Sequence, residues 1–188
     1  MSRTSVTHPL HIAELSVGSA NGAIGITFAP GKHQTQAWTG EWARDLDTDL
    51  AAIKTWGATY LISLIEPFEF DELKIPQLPV RAQAFGLTWY GLPIVDGAAP
   101  DHRLLDRWRQ LSPELVSALD AGTRIVVHCM GGLGRAGTVA SMLLLDSRVT
   151  KEADEAIRLV RAVRPGAIET AEQEAFLQEW ADQNRLNS

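Results

Sequence analysis

The chain has 188 residues, 45% of them hydrophobic and 21% charged, and carries a net charge of -6. That length suits one domain with a real core, and the acidity speaks against a nucleic-acid surface, which is ordinarily basic. The single cysteine excludes an internal disulfide, and a lone thiol fits a reducing, cytoplasmic setting. Neither a secretory leader pattern nor a run of about 20 apolar residues is visible, so no membrane association is expected.

Residues 1–8 carry no apolar pattern and are expected to be loose at the edge of a single domain over 1–188. Leu10, Ile12 and Leu15 predict a short strand, and Ala23 to Phe28 a second after the Asn21-Gly22 turn. Ala29-Pro30-Gly31 breaks the pattern, and Lys32 and His33 beyond it read as a solvated loop. Glu41 to Trp56 predicts a helix that buries Leu46, Leu50, Ile53 and Trp56, with Trp42 extending the face. Thr59 to Ile65 is a strand ended by Glu66-Pro67. Phe68 to Phe85 reads as a linker with helical pieces, in which Phe68, Phe70 and Leu73 pack inward.

Thr88 to Val95 predicts the next strand, which empties into the turn formers Asp96-Gly97-Ala98-Ala99-Pro100-Asp101. Asp101 then caps a helix with Leu104, Trp108, Leu111, Leu115 and Leu119 on one face, either kinked or divided at Ser112-Pro113. Thr150 is expected to cap a helix burying Ala153, Ala156, Ile157, Val160 and Val163. Thr170-Ala171-Glu172-Gln173 fits a capping box opening a last helix, with Phe176, Leu177 and Trp180 inward. Strands alternating with helices predict an α/β domain, a central sheet flanked by helices.

Between the last two groups lies the stretch that carries chemistry. Ile125-Val126-Val127 reads as a buried strand and Val139 to Leu145 as a buried helix. His128-Cys129-Met130-Gly131-Gly132-Leu133-Gly134-Arg135 joins them. Gly131, Gly132 and Gly134 let the backbone curl so that the N–H groups of Met130 to Arg135 form an anion nest, and the following helix adds its positive end. Arg135 supplies a planar fork for two oxygens of one phosphate. A cysteine on the floor of such a nest favours the thiolate, a nucleophile toward phosphorus. His128 serves it either by its charge or by holding the loop.

His-Cys-x5-Arg resembles the signature of the cysteine-dependent protein tyrosine and dual-specificity phosphatases. The form here is most similar to the subgroup around the kinase-associated phosphatase. Pro30-Gly31-Lys32, Pro93-Ile94-Val95-Asp96-Gly97 with Pro100-Asp101, and Gly166-Ala167-Ile168-Glu169-Thr170 agree in order, over roughly residues 24 to 180. The resemblance implies a mixed sheet with the phosphate loop at the carboxyl end of a central strand, and it puts the loop of Pro30-Gly31-Lys32 near the active-site mouth, with Lys32 and His33 within reach of substrate. It implies a phosphocysteine mechanism without metal or other cofactor, acting on a phosphorylated protein or small phosphomonoester. No kinase partner follows from it, since fold and loop do not carry partner choice.

Residues alone leave Asp96 as either a general acid or the first half of an Asp-Gly turn; the resemblance favours the acid, with Asp101 as the fallback. Gln173 matches a glutamine that helps place the hydrolytic water in the wider family, whereas Glu169 replaces a second one. Ala136 stands where the family carries a Ser or Thr hydroxyl that steadies the departing thiolate. These two departures keep open a phosphate-binding module of little activity. A rhodanese-type sulfur transferase fits the order of His128, Cys129 and Arg135 less well. Histidines at 8, 11, 33, 102 and 128 are too scattered to suggest a metal centre.

Overall fold

The computed structural model describes residues 2–186. In chain order it runs β1 (Ala13–Val17), β2 (Gly22–Phe28), β3 (His33–Gln34), β4 (Trp42–Ala43), α1 (Leu46–Thr55), β5 (Ala58–Ser63), α2 (Pro67–Glu72) and α3 (Leu78–Ala84). It continues through β6 (Thr88–Gly91), α4 (His102–Asp120), β7 (Arg124–Cys129), α5 (Gly134–Asp146), α6 (Ala153–Val163) and α7 (Ala171–Leu186). Five strands form a mixed sheet in the order β1-β2-β7-β5-β6, and β3 with β4 makes a separate antiparallel pair. Only β1 runs antiparallel in the large sheet; β2, β7, β5 and β6 are mutually parallel. Among the described residues no helix is long and apolar enough to cross a membrane.

The sequence explains the layering. β7 pairs on both edges, with Ile24 opposite Ile125 on one side and Leu61 opposite Val126 on the other. Helices cover both faces, so Ile125-Val126-Val127 is a continuous apolar run without alternation. β1 lies at the edge and alternates, burying Ala13, Leu15 and Val17. Gly134 through Leu145 of α5 are all buried, which is what a helix apolar on every side requires. It packs against β7, α6 and α7.

Several expectations need correction. Residues 2–8 are held: Arg3 bridges to Trp42, Ser5 exchanges hydrogen bonds with Asp45, and Arg44 grips the carbonyls of Thr4 and His8. α1 starts at Leu46 with Asp45 as its cap, because Trp42 is drawn into β4, where it packs on Phe28. The 68–85 stretch contains two defined helices, the first opened by a capping box between Glu66 and Glu69, and Phe68 turns outward at 60% exposed while Leu73 is buried. β6 stops at Gly91, four residues before the expected end at Val95. α4 is one helix of 19 residues that contains Pro113. Glu152 is the N-cap of α6, with the Thr150 hydroxyl accepting from its N–H at 3.1 Å.

Candidate active site

Cys129 ends β7 and Gly134 opens α5, so the loop between them lies at the carboxyl end of the central strand, where open α/β sheets place their ligands. Its carbonyls are all held on the outside. Met130 accepts from Ala29 N–H at 3.3 Å and from Lys32 Nζ at 3.2 Å. Arg164 donates Nη2 to the Gly131 carbonyl at 3.0 Å and Nε to that of Gly132 at 2.9 Å. The Leu133 carbonyl accepts from Gly137 N–H and Ile168 N–H. With the carbonyls turned out, the N–H groups are left to line the inside. Gly132 N–H donates to Cys129 Sγ at 3.2 Å, and the cysteine itself is buried. Of the three loop glycines only Gly132 adopts a left-handed conformation (φ 68°), and a Cβ there would fall 2.4 Å from the Thr27 backbone.

Arg135, in the first turn of α5, is 1% exposed. Its Nη1 and Nη2 donate to the two carboxylate oxygens of Glu69 at 2.6 and 2.9 Å, and Nη1 also reaches the Ile94 carbonyl at 3.1 Å. Burial works against its charge, but Glu69, Cys129 and Asp96 outweigh that and raise its pKa above the ordinary arginine value. Asp96 approaches Nη2 at 3.2 Å with a side chain 72% exposed. The Arg135 Nε is buried and, among the described residues, has no hydrogen-bond partner. The guanidinium is thus gripped at one end and keeps donor capacity at Nε, the edge that can take a phosphate oxygen beside Nη2.

His128 is fully buried, and that burial lowers its pKa to about 4, helped by the Arg135 charge and opposed by its hydrogen bond to Cys129. Of the two roles open to it, holding the loop is therefore the one it fills at neutral pH. Its Nδ1 lies 3.2 Å from the Cys129 carbonyl, which requires the proton there. Its Nε2 then accepts from Ser63 Oγ at 2.6 Å, and that oxygen accepts from Trp89 Nε1 at 2.8 Å.

The loop carrying Asp96 is strapped to the start of α7. Thr170 Oγ1 donates to the Gly97 carbonyl at 2.9 Å, Gln173 Nε2 to the Ala98 carbonyl at 3.2 Å, and Ala99 N–H to Glu172 Oε1 at 3.0 Å. Gln173 is fully buried and also closes the capping box with Thr170. Glu169 accepts the Gly134 N–H at 3.0 Å, so its carboxylate sits on a donor of the nest. Asp101 serves as the N-cap of α4, bonded to Arg103 N–H at 2.9 Å. Ala136 is fully buried, and the Thr138 hydroxyl is committed to the Gly134 carbonyl at 2.8 Å.

The structure thus gathers Cys129, the 130–134 loop, Arg135, Asp96, His128 and Gln173 around one cradle. Two further members, Glu69 and Arg164, escaped the sequence reading, and a third, Lys32, takes a different place from the solvated loop expected of it. Glu69 left a trace, since Glu66-Pro67-Phe68-Glu69 has the spacing of a capping box; nothing local announced Arg135 as its second partner. Arg164 reads as an ordinary helix-end cation. Lys32 is buried rather than solvated.

Residues 48–177 match the family described as Swiss Army Knife protein, DSP-PTPase phosphatase domain. The chain is 29% identical over 177 residues to cyclin-dependent kinase inhibitor 3 of Homo sapiens, covering 93% of this chain and 80% of the relative. It is 29% identical over 141 residues to protein tyrosine phosphatase type IVA 3 of Mus musculus, 75% of each protein. Among solved structures, kinase associated phosphatase with its catalytic-site cysteine replaced by serine superposes with a TM-score of 0.80 at 28% identity, over 94% of this chain and 97% of the other.

Proposed function

Because this chain belongs to the DSP-PTPase phosphatase domain family, we propose that Cys129, Arg135 and Asp96 carry out a two-step hydrolysis of phosphomonoesters. The enzyme is a cysteine-dependent phosphatase of the protein tyrosine and dual-specificity type. The observation that carries the assignment of roles is the Arg135 fork. It is anchored by Glu69, interacts electrostatically with Cys129, and leaves Nε unfilled.

The ester's phosphate settles on the nest N–H groups and on Arg135, which follow its oxygens as charge spreads over them in the transition state. The Cys129 thiolate attacks phosphorus in line. An S–P bond forms as the P–O bond to the leaving group breaks, and Asp96 in its acid form gives that oxygen a proton. Water then attacks phosphorus, Asp96 takes its proton, and the S–P bond breaks to release inorganic phosphate and the thiolate. Gln173, bound to the Asp96 loop, keeps that carboxylate over the site. His128 holds the carbonyl of Cys129 from below.

The substrate in this reading is a phosphorylated protein, with an aryl ester preferred. Met130 and Leu133 in the loop are apolar and partly exposed. Val95 beside Asp96 is 52% exposed. Such a rim suits a phenyl ring better than a polyanionic headgroup. A reducing, cytoplasmic setting for the lone thiol belongs to the same proposal. Glu169 on the Gly134 N–H and the missing hydroxyl at Ala136 favour a second reading, a binding module of little turnover.

The test is hydrolysis of an aryl phosphate in the presence of chelator. Cys129→Ser is expected to abolish turnover, and Asp96→Asn to lower it by about 10²–10⁴-fold. Full activity in Cys129→Ser overturns the mechanism. A wild-type protein that binds tungstate but releases no phosphate is the binding module.

A further inference from the structure

Lys32 is a cation that the two-step scheme does not use. Only 4% of it is exposed, and the backbone around it is pinned. Gly31 adopts φ 72°, its N–H donates to Asp49 Oδ2 at 2.8 Å, and a Cβ there would lie 2.7 Å from Leu46 Cα. The Lys32 carbonyl accepts from Arg44 N–H at 3.2 Å. The side chain runs between two rings, with Nζ 5.1 Å from the centroid of Phe28 and 4.9 Å from that of Trp42. Nζ ends 3.2 Å from the Met130 carbonyl and 3.3 Å from Gln34 Oε1.

An ammonium in such a slot is costly, and an apolar side chain of similar length would fill it at less expense. The charged groups facing it come from four elements. Arg44 follows β4 and is neutralised by Asp49 of α1 at 2.7 and 2.8 Å. Arg164 ends α6, and Cys129 ends β7. Burial, then the two arginines, push the Lys32 pKa down, and Cys129 alone of these neighbours pulls it up, leaving it at about 8. Of the charged groups around it, Cys129 alone favours the ammonium, and Nζ sits on the carbonyl of Met130, the residue that follows that cysteine.

We propose that Lys32 is a positioning residue of the phosphatase site: held on the outward carbonyl of Met130, its ammonium is the fixed counter-charge of the Cys129 thiolate. It also polarises the Met130–Gly131 peptide, strengthening the Gly131 N–H as a donor into the cradle. This rests on the reading of Cys129 as the nucleophile. Below about pH 8 the ammonium is present and the thiolate is supported; as pH rises through that value the charge is lost and dianion binding weakens.

Two readouts on Lys32→Met, Lys32→Gln and Lys32→Arg test it. Alkylation of Cys129 by iodoacetamide across pH needs no turnover. Its half-maximal pH is expected to rise by about half a unit to one unit in the Met and Gln variants and to stay put in Arg. The kcat/KM profile for an aryl phosphate is expected to fall near pH 8 in the wild type. That fall is absent in Met and Gln and moved upward in Arg. Gln, which keeps a donor to Met130 without the charge, separates charge from hydrogen bond and stands in should Met fail to fold. Alkylation profiles unchanged in Gln overturn the proposal, as does a wild-type profile flat through pH 8. An inactive wild type sinks the phosphatase reading, and the alkylation comparison then decides on Lys32 alone.

Discussion

The carboxylate of Glu69 does two jobs: it closes the capping box with Glu66 N–H at 2.6 Å and it holds Arg135. Removing it strands a guanidinium that is 1% exposed. Glu69→Ala is expected to cost about 3–5 kcal/mol in urea unfolding, the usual result of breaking a buried pair, and to raise KM for an aryl phosphate. Unchanged stability would show that Ile94 and solvent satisfy Arg135 unaided. Ala136 poses the opposite case, a side chain that lacks a hydroxyl where the resemblance expects one. Ala136→Ser is expected to speed single-turnover phosphate release by about tenfold, the effect of one hydrogen bond on the departing thiolate. A release rate equal to wild type would place the slow step elsewhere.

At the scale of elements, the strap between the 97–99 loop and the start of α7 matters most. Gln173→Ala removes its bonds to Ala98 and to the N–H groups of Glu169 and Thr170. In the proposed scheme, a proton from Asp96 matters more to a basic leaving group than to a nitrophenolate. Gln173→Ala is therefore expected to lower kcat/KM by about 10–100-fold on an alkyl phosphate, and far less on p-nitrophenyl phosphate. Equal losses on both would mean that the residue only stabilises the fold.

The same elements show what a reading of the chain could and could not reach. The face of α4 and the capping box at 170–173 were legible because period and local hydrogen bonding determine them. The β7–loop–α5 unit was legible because glycine, cysteine and arginine offsets lie within one short stretch. β3 and β4 were not, since strands of two residues carry no period. Trp42 sits at a helical interval from Leu46, Leu50 and Ile53, yet Phe28 and the cations Lys32 and Arg44 decide its place. Glu69 and Arg135 lie far apart in sequence, and only the folded chain brings the two side chains together.

For the molecule as a whole, the buried His128 links stability to pH. Its folded pKa of about 4 lies below the ~6.5 of an unfolded chain. The stabilisation is thus complete above about 6.5 and lost as pH falls through 4, amounting to about 3 kcal/mol. Urea unfolding midpoints are expected to drop between pH 7 and pH 4. The drop should shrink in His128→Asn, whose amide can still donate toward the Cys129 carbonyl. An identical slope in both proteins would assign acid sensitivity to other groups.

The parts of the cradle are spread along the chain as Lys32, Glu69, Asp96, Cys129, Arg135, Arg164 and Gln173. During synthesis the thiol emerges before Arg135, the Arg164 clamp and the α7 strap exist. A ribosome-bound or half-folded chain therefore carries a sulfur with nothing to aim it and no fork to present an ester. In the proposed scheme, full turnover therefore waits until the chain through residue 173 has folded onto the sheet.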